Sequence, residues 1–163
     1  HDVYFLPYLM GERSPINDTA ARGTFIGMTL NTTREDMILA IMEGVAFAIR
    51  DSFEEVKKAG IEVKRSKICG GGAKSRLWVK IIANVLNIPL DIPETEQGPG
   101  YGAAMLAMTG CGEYESIREC SDAIIKIKDT MEPESELAGL YDIKNRTYRE
   151  IYPALQSVFP KLV

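Results

Sequence analysis

Histidine is all but missing from this chain: His1, the first residue, is the only one among 163. Without a second imidazole, a histidine-ligated metal or a histidine-based catalytic triad has nothing to be built from. Cysteine is scarce as well. Cys69, Cys111 and Cys120 are odd in number and show no Cys-x-x-Cys spacing. That argues against a disulfide framework and a metal cage, and for the reducing cytoplasm. No apolar run approaches the roughly 20 residues of a membrane-spanning helix, and no secretory leader is visible. An excess of positive charge is lacking too. Lys and Arg number 19 against 23 Asp and Glu, a net charge of −4, so neither a general nucleic-acid surface nor a membrane-binding face is expected. The remainder, 45% hydrophobic and 26% charged, is ordinary for one soluble domain, residues 1–163, with a real core. The first residue is not Met, and the chain reads as a piece of a longer protein.

The most informative stretch is Ile68–Cys69–Gly70–Gly71–Gly72–Ala73–Lys74–Ser75–Arg76. A short apolar run enters it, three glycines turn it, and a helical pattern (Leu77, Trp78, Ile81, Ile82, Val85, Leu86) leaves it, with Ser75 placed as the cap. Glycines let backbone approach a ligand, and a helix start offers free N–H groups. The stretch is neither GxGxxG nor GxxxxGK[ST]. On residues alone, a nucleotide-binding turn and a plain strand-to-helix connection both stand.

Around this turn the pattern predicts a strand over Val3–Leu6 and a turn-rich loop in which Glu12 and Arg13 pair with each other or face a ligand. A second strand follows over Gly23–Thr29, with a bulge or close contact at Gly27. Thr32 and Glu35 form a capping-box pattern before a long helix over Thr33–Ala59. Its apolar residues recur at helical spacing, and Gly60 ends it. Small residues, Gly44 among them, permit close packing on that helix, and Glu43 lies at the edge of its buried face or near a cleft. Residues 61–63 and Ser66–Cys69 read as extended. Beyond the Ser75–Asn87 helix come a proline-fenced strand over 88–93 and a loop over Glu94–Tyr101. A small-residue helix from Gly102 to Gly110 is expected to pack tightly on a neighbour. Ser116 caps a short helix, Ile125–Lys128 is ambiguous, and a last helix runs from Glu134 to about Tyr152, limited by Pro153. The alternation implies an α/β domain with parallel strands and helical crossovers, and a ligand at the carboxyl ends of the strands.

Four motifs in order carry a resemblance. Gly23, Phe25, Gly27–Met28, a seven-residue spacer, Asp36–Met37 and Ala40–Ile41–Met42–Glu43 resemble the second signature of the FGGY family of carbohydrate kinases, members of the actin-like ATPase superfamily. Phe5–Leu6–Pro7–Tyr8–Leu9 with Gly11–Glu12–Arg13–Ser14–Pro15 is similar to the branch acting on xylulose and gluconate. Gly70–Trp78 is similar to the family's adenosine motif, and Gly102–Ala107 to its last conserved helix. The resemblance implies the C-terminal half of an actin-like (ribonuclease H-like) ATPase domain, α/β, with a mixed sheet flanked by helices.

It also implies ATP-dependent phosphorylation of a sugar hydroxyl, D-xylulose to xylulose 5-phosphate leading, with magnesium. Gly71, Gly72, Ala73 and Ser75 fall where relatives contact the nucleotide, Ser75 serving the base, the helix or both. Lys74 and Arg76 reach phosphate or are solvated. The general-base aspartate and the sugar-binding domain are expected upstream, outside this chain. Asp18, Asp36 and Asp51 do not match that base, and no catalytic residue or metal ligand is assigned here. The expected partner is a small-molecule sugar, with a homodimer in the full-length protein and no nucleic acid or membrane. The alternatives are a non-catalytic actin-like module binding nucleotide or a partner, and a kinase for gluconate, erythritol or another pentulose.

Overall fold

A computed structural model describes residues 2–95 and 98–162; His1 and part of the predicted Glu94–Tyr101 loop lie outside them. The chain opens with a two-stranded antiparallel ribbon, β1 (Tyr4–Leu6) against β2 (Thr24–Ile26), Phe5 opposite Phe25. Helix α1 (Arg34–Lys58) follows. A separate mixed sheet has the order β3 (Ser66–Lys67), β4 (Leu90–Pro93), β5 (Ile127–Met131). Helix α2 (Arg76–Leu86) crosses from β3 to β4, and α3 (Gly98–Gly110) and α4 (Ile117–Ile124) lie between β4 and β5. Helix α5 (Ser135–Leu155) closes the chain, followed by one short helical turn.

The parallel expectation holds only where a helix makes the crossover. β3 and β4 pair in parallel, Ser66 with Leu90 and Lys67 with Asp91. β5 returns antiparallel, Leu90 opposite Met131, so Ile125–Lys128 resolves into the end of α4 and the start of a strand. β1 and β2 are joined without a helix and pair antiparallel in their own sheet. Residues 61–63 join no ladder among the described residues.

Helix α1 starts one residue later than the sequence pattern suggests. The Thr32 hydroxyl accepts the Thr29 N–H at 2.8 Å and closes the preceding turn. Thr33 therefore takes the cap, its hydroxyl accepting the Asp36 N–H while Asp36 accepts the Thr33 N–H at 2.9 Å. The capping box is Thr33 with Asp36, not Thr32 with Glu35. Glycine at 44 is required by α1 against β1: a Cβ there would fall 2.1 Å from the Phe5 carbonyl oxygen. Gly27, at φ +88, takes the close-contact alternative: a Cβ there would fall 2.3 Å from the Asp2 carbonyl oxygen.

Two later expectations change. Helix α3 begins at Gly98, with Pro99 in its first turn, where no intrahelical N–H bond is lost. It lies against α4, but none of its residues is fully buried, so the packing is looser than expected for this small-residue helix. Helix α5 carries Pro153 inside its last turn rather than stopping there. Tyr152 stacks on Phe159 with ring centroids 6.1 Å apart, which holds that turn in place.

The core lies where α1, α2 and α5 meet β1 and β4. Leu6, Phe47, Val79, Val85, Leu90 and Tyr148 are at its centre. A polar seam joins α1 to α5. Buried Glu43 pairs with Lys144 at 2.5 Å, and Arg50 with Asp142 at 2.6 Å. Burial first, and the neighbouring Glu43 carboxylate second, push the Tyr141 phenol up. Asp51 is 8% exposed. Burial pushes its carboxyl up to about 6, against the partial relief given by Arg149 and Arg50.

Two expected outcomes follow from this packing. Gly44→Ala in an exposed helix would stabilise by about 1 kcal/mol. Here it is expected to destabilise by about 2–3 kcal/mol through overpacking against Phe5, read as a lower urea midpoint. For Asp51 the folded-state pKa lies above the unfolded one, so the folded form holds the proton longer. Stability is lost as pH rises from about 4 through 6, and no further loss follows above that. Asp51→Asn removes the ionisation and should exceed the native chain by about 2–3 kcal/mol at pH 7.5, the gap closing at pH 4. A gap that does not change with pH would contradict this.

Candidate functional site

The glycine turn stands at the carboxyl ends of the only parallel strand pair among the described residues. β3 runs on through Ile68, whose N–H donates to the Asp91 carbonyl at 2.9 Å. The backbone then swings through Gly70 at φ +88, a conformation that favours glycine. Gly71–Lys74 form one tight helical turn, closed by the Ala73 N–H to Gly70 and the Ser75 N–H to Gly72 carbonyls, both 3.1 Å. The amide N–H groups of Gly70, Gly71 and Gly72 find no acceptor among the described residues. Three such donors on exposed backbone suit an anionic oxygen.

Each residue assigned from sequence has a distinct place. Gly71 has nothing within 4 Å of a built Cβ, so its face is open. Gly72 faces Trp78, and a Cβ there would lie 3.2 Å from the indole Nε1. Ala73 is buried, and its methyl helps wall a recess. Ser75 caps α2, its hydroxyl accepting the Trp78 N–H at 3.3 Å. The hydroxyl is exposed and also carries free lone-pair capacity. Arg76 reaches across to β5 and pairs with Asp129 at 3.0 Å, an exposed ion pair of little strength.

Two recesses flank the turn. One, of about 150 Å³, is bordered by Cys69, Pro93, Thr95, Tyr101 and Met105. It is largely apolar, with one aromatic ring and one thioether, and matches the flat face of a heterocycle. The other, of about 390 Å³, is bordered by Ala73, Lys74, Arg76, Glu94, Lys128 and Asp129. Tyr101 and Met105 were not singled out from sequence. Their signal was present in the apolar run after Gly100, but only the fold brings that helix start beside Cys69.

The aspartates set aside on sequence grounds are occupied structurally. Asp36 closes the α1 capping box. Asp18 accepts from the Ala20 N–H and the Tyr152 hydroxyl, and these bonds hold its carboxyl below the usual range. Asp51 is enclosed between α1 and α5. Glu12 resolves as a backbone acceptor, taking the Arg13 and Ser14 N–H groups at 2.8 and 3.2 Å. No three carboxylate, imidazole or thiol groups converge among the described residues. No helix among them is long and apolar enough to cross a membrane.

Comparisons with known proteins point one way. A xylulose kinase from Staphylococcus epidermidis is 38% identical over 150 residues, 92% of this chain and 30% of the relative. A solved xylulose kinase from Lactobacillus acidophilus superposes with a TM-score of 0.90 at 29% identity, over 99% of this chain and 33% of that one. A gluconate kinase from the same organism superposes at 0.89, also at 29%, over the same shares. The chain thus spans about a third of the length of these relatives, and it has their actin-like α/β fold. The model of the FGGY family of carbohydrate kinases, C-terminal domain, matches residues 1–111. The glycine turn, the capped helix behind it and the long α1 signature all lie inside that match, and the chain belongs to the FGGY family of carbohydrate kinases.

Proposed function

We propose that this chain is the nucleotide-side domain of a kinase that moves the terminal phosphoryl group of ATP to a hydroxyl of a small sugar, xylulose. The observation that carries the reading is the glycine turn, with three unpaired amides on open backbone at the ends of β3 and β4. Phosphoryl transfer depends on positioning and on stabilising charge at the phosphates. Free amides aimed at anionic oxygens supply part of that, and the recess beside Tyr101 and Met105 receives the base. In this reading magnesium is held by the nucleotide's phosphates and by residues outside this chain, as are the sugar and its general base. The nearly equal likeness to a xylulose kinase and a gluconate kinase keeps gluconate as the second substrate to test.

Expected outcomes follow for binding and for activity. Alone, the chain should phosphorylate neither xylulose nor gluconate in a coupled assay, yet bind ATP weakly, because one wall gives contact without enclosure. Gly71→Val places its branch in open space, where the nucleotide must approach, and should weaken ATP binding at least tenfold with no loss of fold. Gly72→Val should weaken it too, but it also displaces Trp78, so Gly71 is the cleaner site. Ser75→Ala should cost about 1 kcal/mol of stability from the lost cap and affect ATP binding less than Gly71→Val. Unchanged ATP binding in folded Gly71→Val would reduce the turn to a structural connection.

A further inference from the structure

The seam between α1 and α5 holds two buried polar atoms, Asp51 Oδ1 and Asn145 Nδ2, without a hydrogen-bond partner among the described residues. Asn145 is only 5% exposed. A buried amide donor left unpaired costs about 1–3 kcal/mol, and natural folds seldom keep one without a use. Asn145 borders an open recess of about 300 Å³, together with Arg50, Glu54, Asp142, Arg146 and Arg149. That volume is at the lower end of sites for small metabolites.

The charges around the recess are unevenly used. Arg50 is held by Asp142 at 2.6 Å and donates to the Val85 carbonyl at 3.1 Å. Glu54 is held by Lys57 at 2.8 Å. Arg149 has only a loose pairing, its Nε 3.5 Å from Asp51 Oδ1 with no hydrogen bond formed. Arg146 has no ion pair or hydrogen bond among the described residues. The acids of the recess therefore have cations of their own. What remains unsatisfied is a set of donors: one buried amide and two guanidiniums, on successive residues and turns of α5.

We propose that this recess binds a small oxyanion, inorganic phosphate or the phosphate group of a small metabolite, through Asn145, Arg146 and Arg149. Guanidinium groups match phosphate oxygens geometrically, and the Asn145 amide supplies a fixed third donor from the recess wall. The site is separate from the glycine turn and does not depend on the nucleotide reading. Its three proposed binding residues all lie on α5, beyond the stretch matched by the family model.

The experiment is a calorimetric titration of the full 163-residue chain with inorganic phosphate, followed in parallel by the side-chain amide resonance of Asn145. Saturable binding in the millimolar range is expected, with that resonance shifting along the same isotherm. Sulfate should compete, and chloride at equal ionic strength should not, because screening alone carries no tetrahedral geometry. Arg146→Ala, at an exposed position, and Asn145→Asp, which turns the buried donor toward repulsion, should each weaken binding at least tenfold. If Asn145→Asp fails to fold, Arg146→Ala carries the test. Phosphate that does not saturate, binding that Arg146→Ala leaves intact, or a silent Asn145 resonance would each overturn the proposal. Titration with glycerol phosphate beside inorganic phosphate separates a metabolite site from a free-phosphate site.

Discussion

The burial of helix α2 is the constraint on which the rest of this structure depends. Val79, Ile81, Ile82, Ala83 and Val85 are all at most 4% exposed, and α1 and α5 close over them on two sides. A helix fixed that firmly fixes its own first turn. Ser75 holds that turn by capping, and the glycines ahead of it are then held in space although their own flanks are open. The site gains its geometry from packing behind it rather than from contacts made by the turn itself. Asn84 extends the same logic to the far end. Buried within α2, it accepts the Glu134 N–H at 2.6 Å, which gives α5 the cap that its own Glu134 side chain does not provide.

Much of this was legible in residues. Periodicity located α1 and α2, and the Ser75 cap and the glycine turn stand where local chemistry placed them. Those features depend on neighbours in the chain. The errors came where a distant or competing partner decides. Thr32 and Thr33 are equal candidates for a cap until the turn at Thr29 claims Thr32. The direction of β5 is set by the two helices that precede it, and nothing in Ile127–Met131 encodes it. The chemistry of Asp51 and Asn145 was invisible for the same reason. Each is an ordinary polar residue on an amphipathic helix, and only the crossing of α1 and α5 encloses it.

The two ends of the molecule treat polarity in opposite ways. Around the glycine turn, unpaired backbone donors face solvent, where water satisfies them at little cost. Between α1 and α5, unpaired side-chain atoms are enclosed, where the low dielectric makes the same lack expensive. The family match covers the first arrangement and stops before α5. Helix α3 belongs with the first end. Its Tyr101 and Met105 border the recess by the turn, while Leu106 on the same helix is 66% exposed.

Trp78 is the only tryptophan in the chain, and its indole edge lies against the one glycine of the turn that has a neighbour. Half-buried, with its N–H side toward Gly72, it sits between the core and the candidate site. The protein therefore carries a built-in optical label at its most informative position. Ultraviolet excitation of this single chromophore reports the polarity beside the turn without any dye or engineered probe.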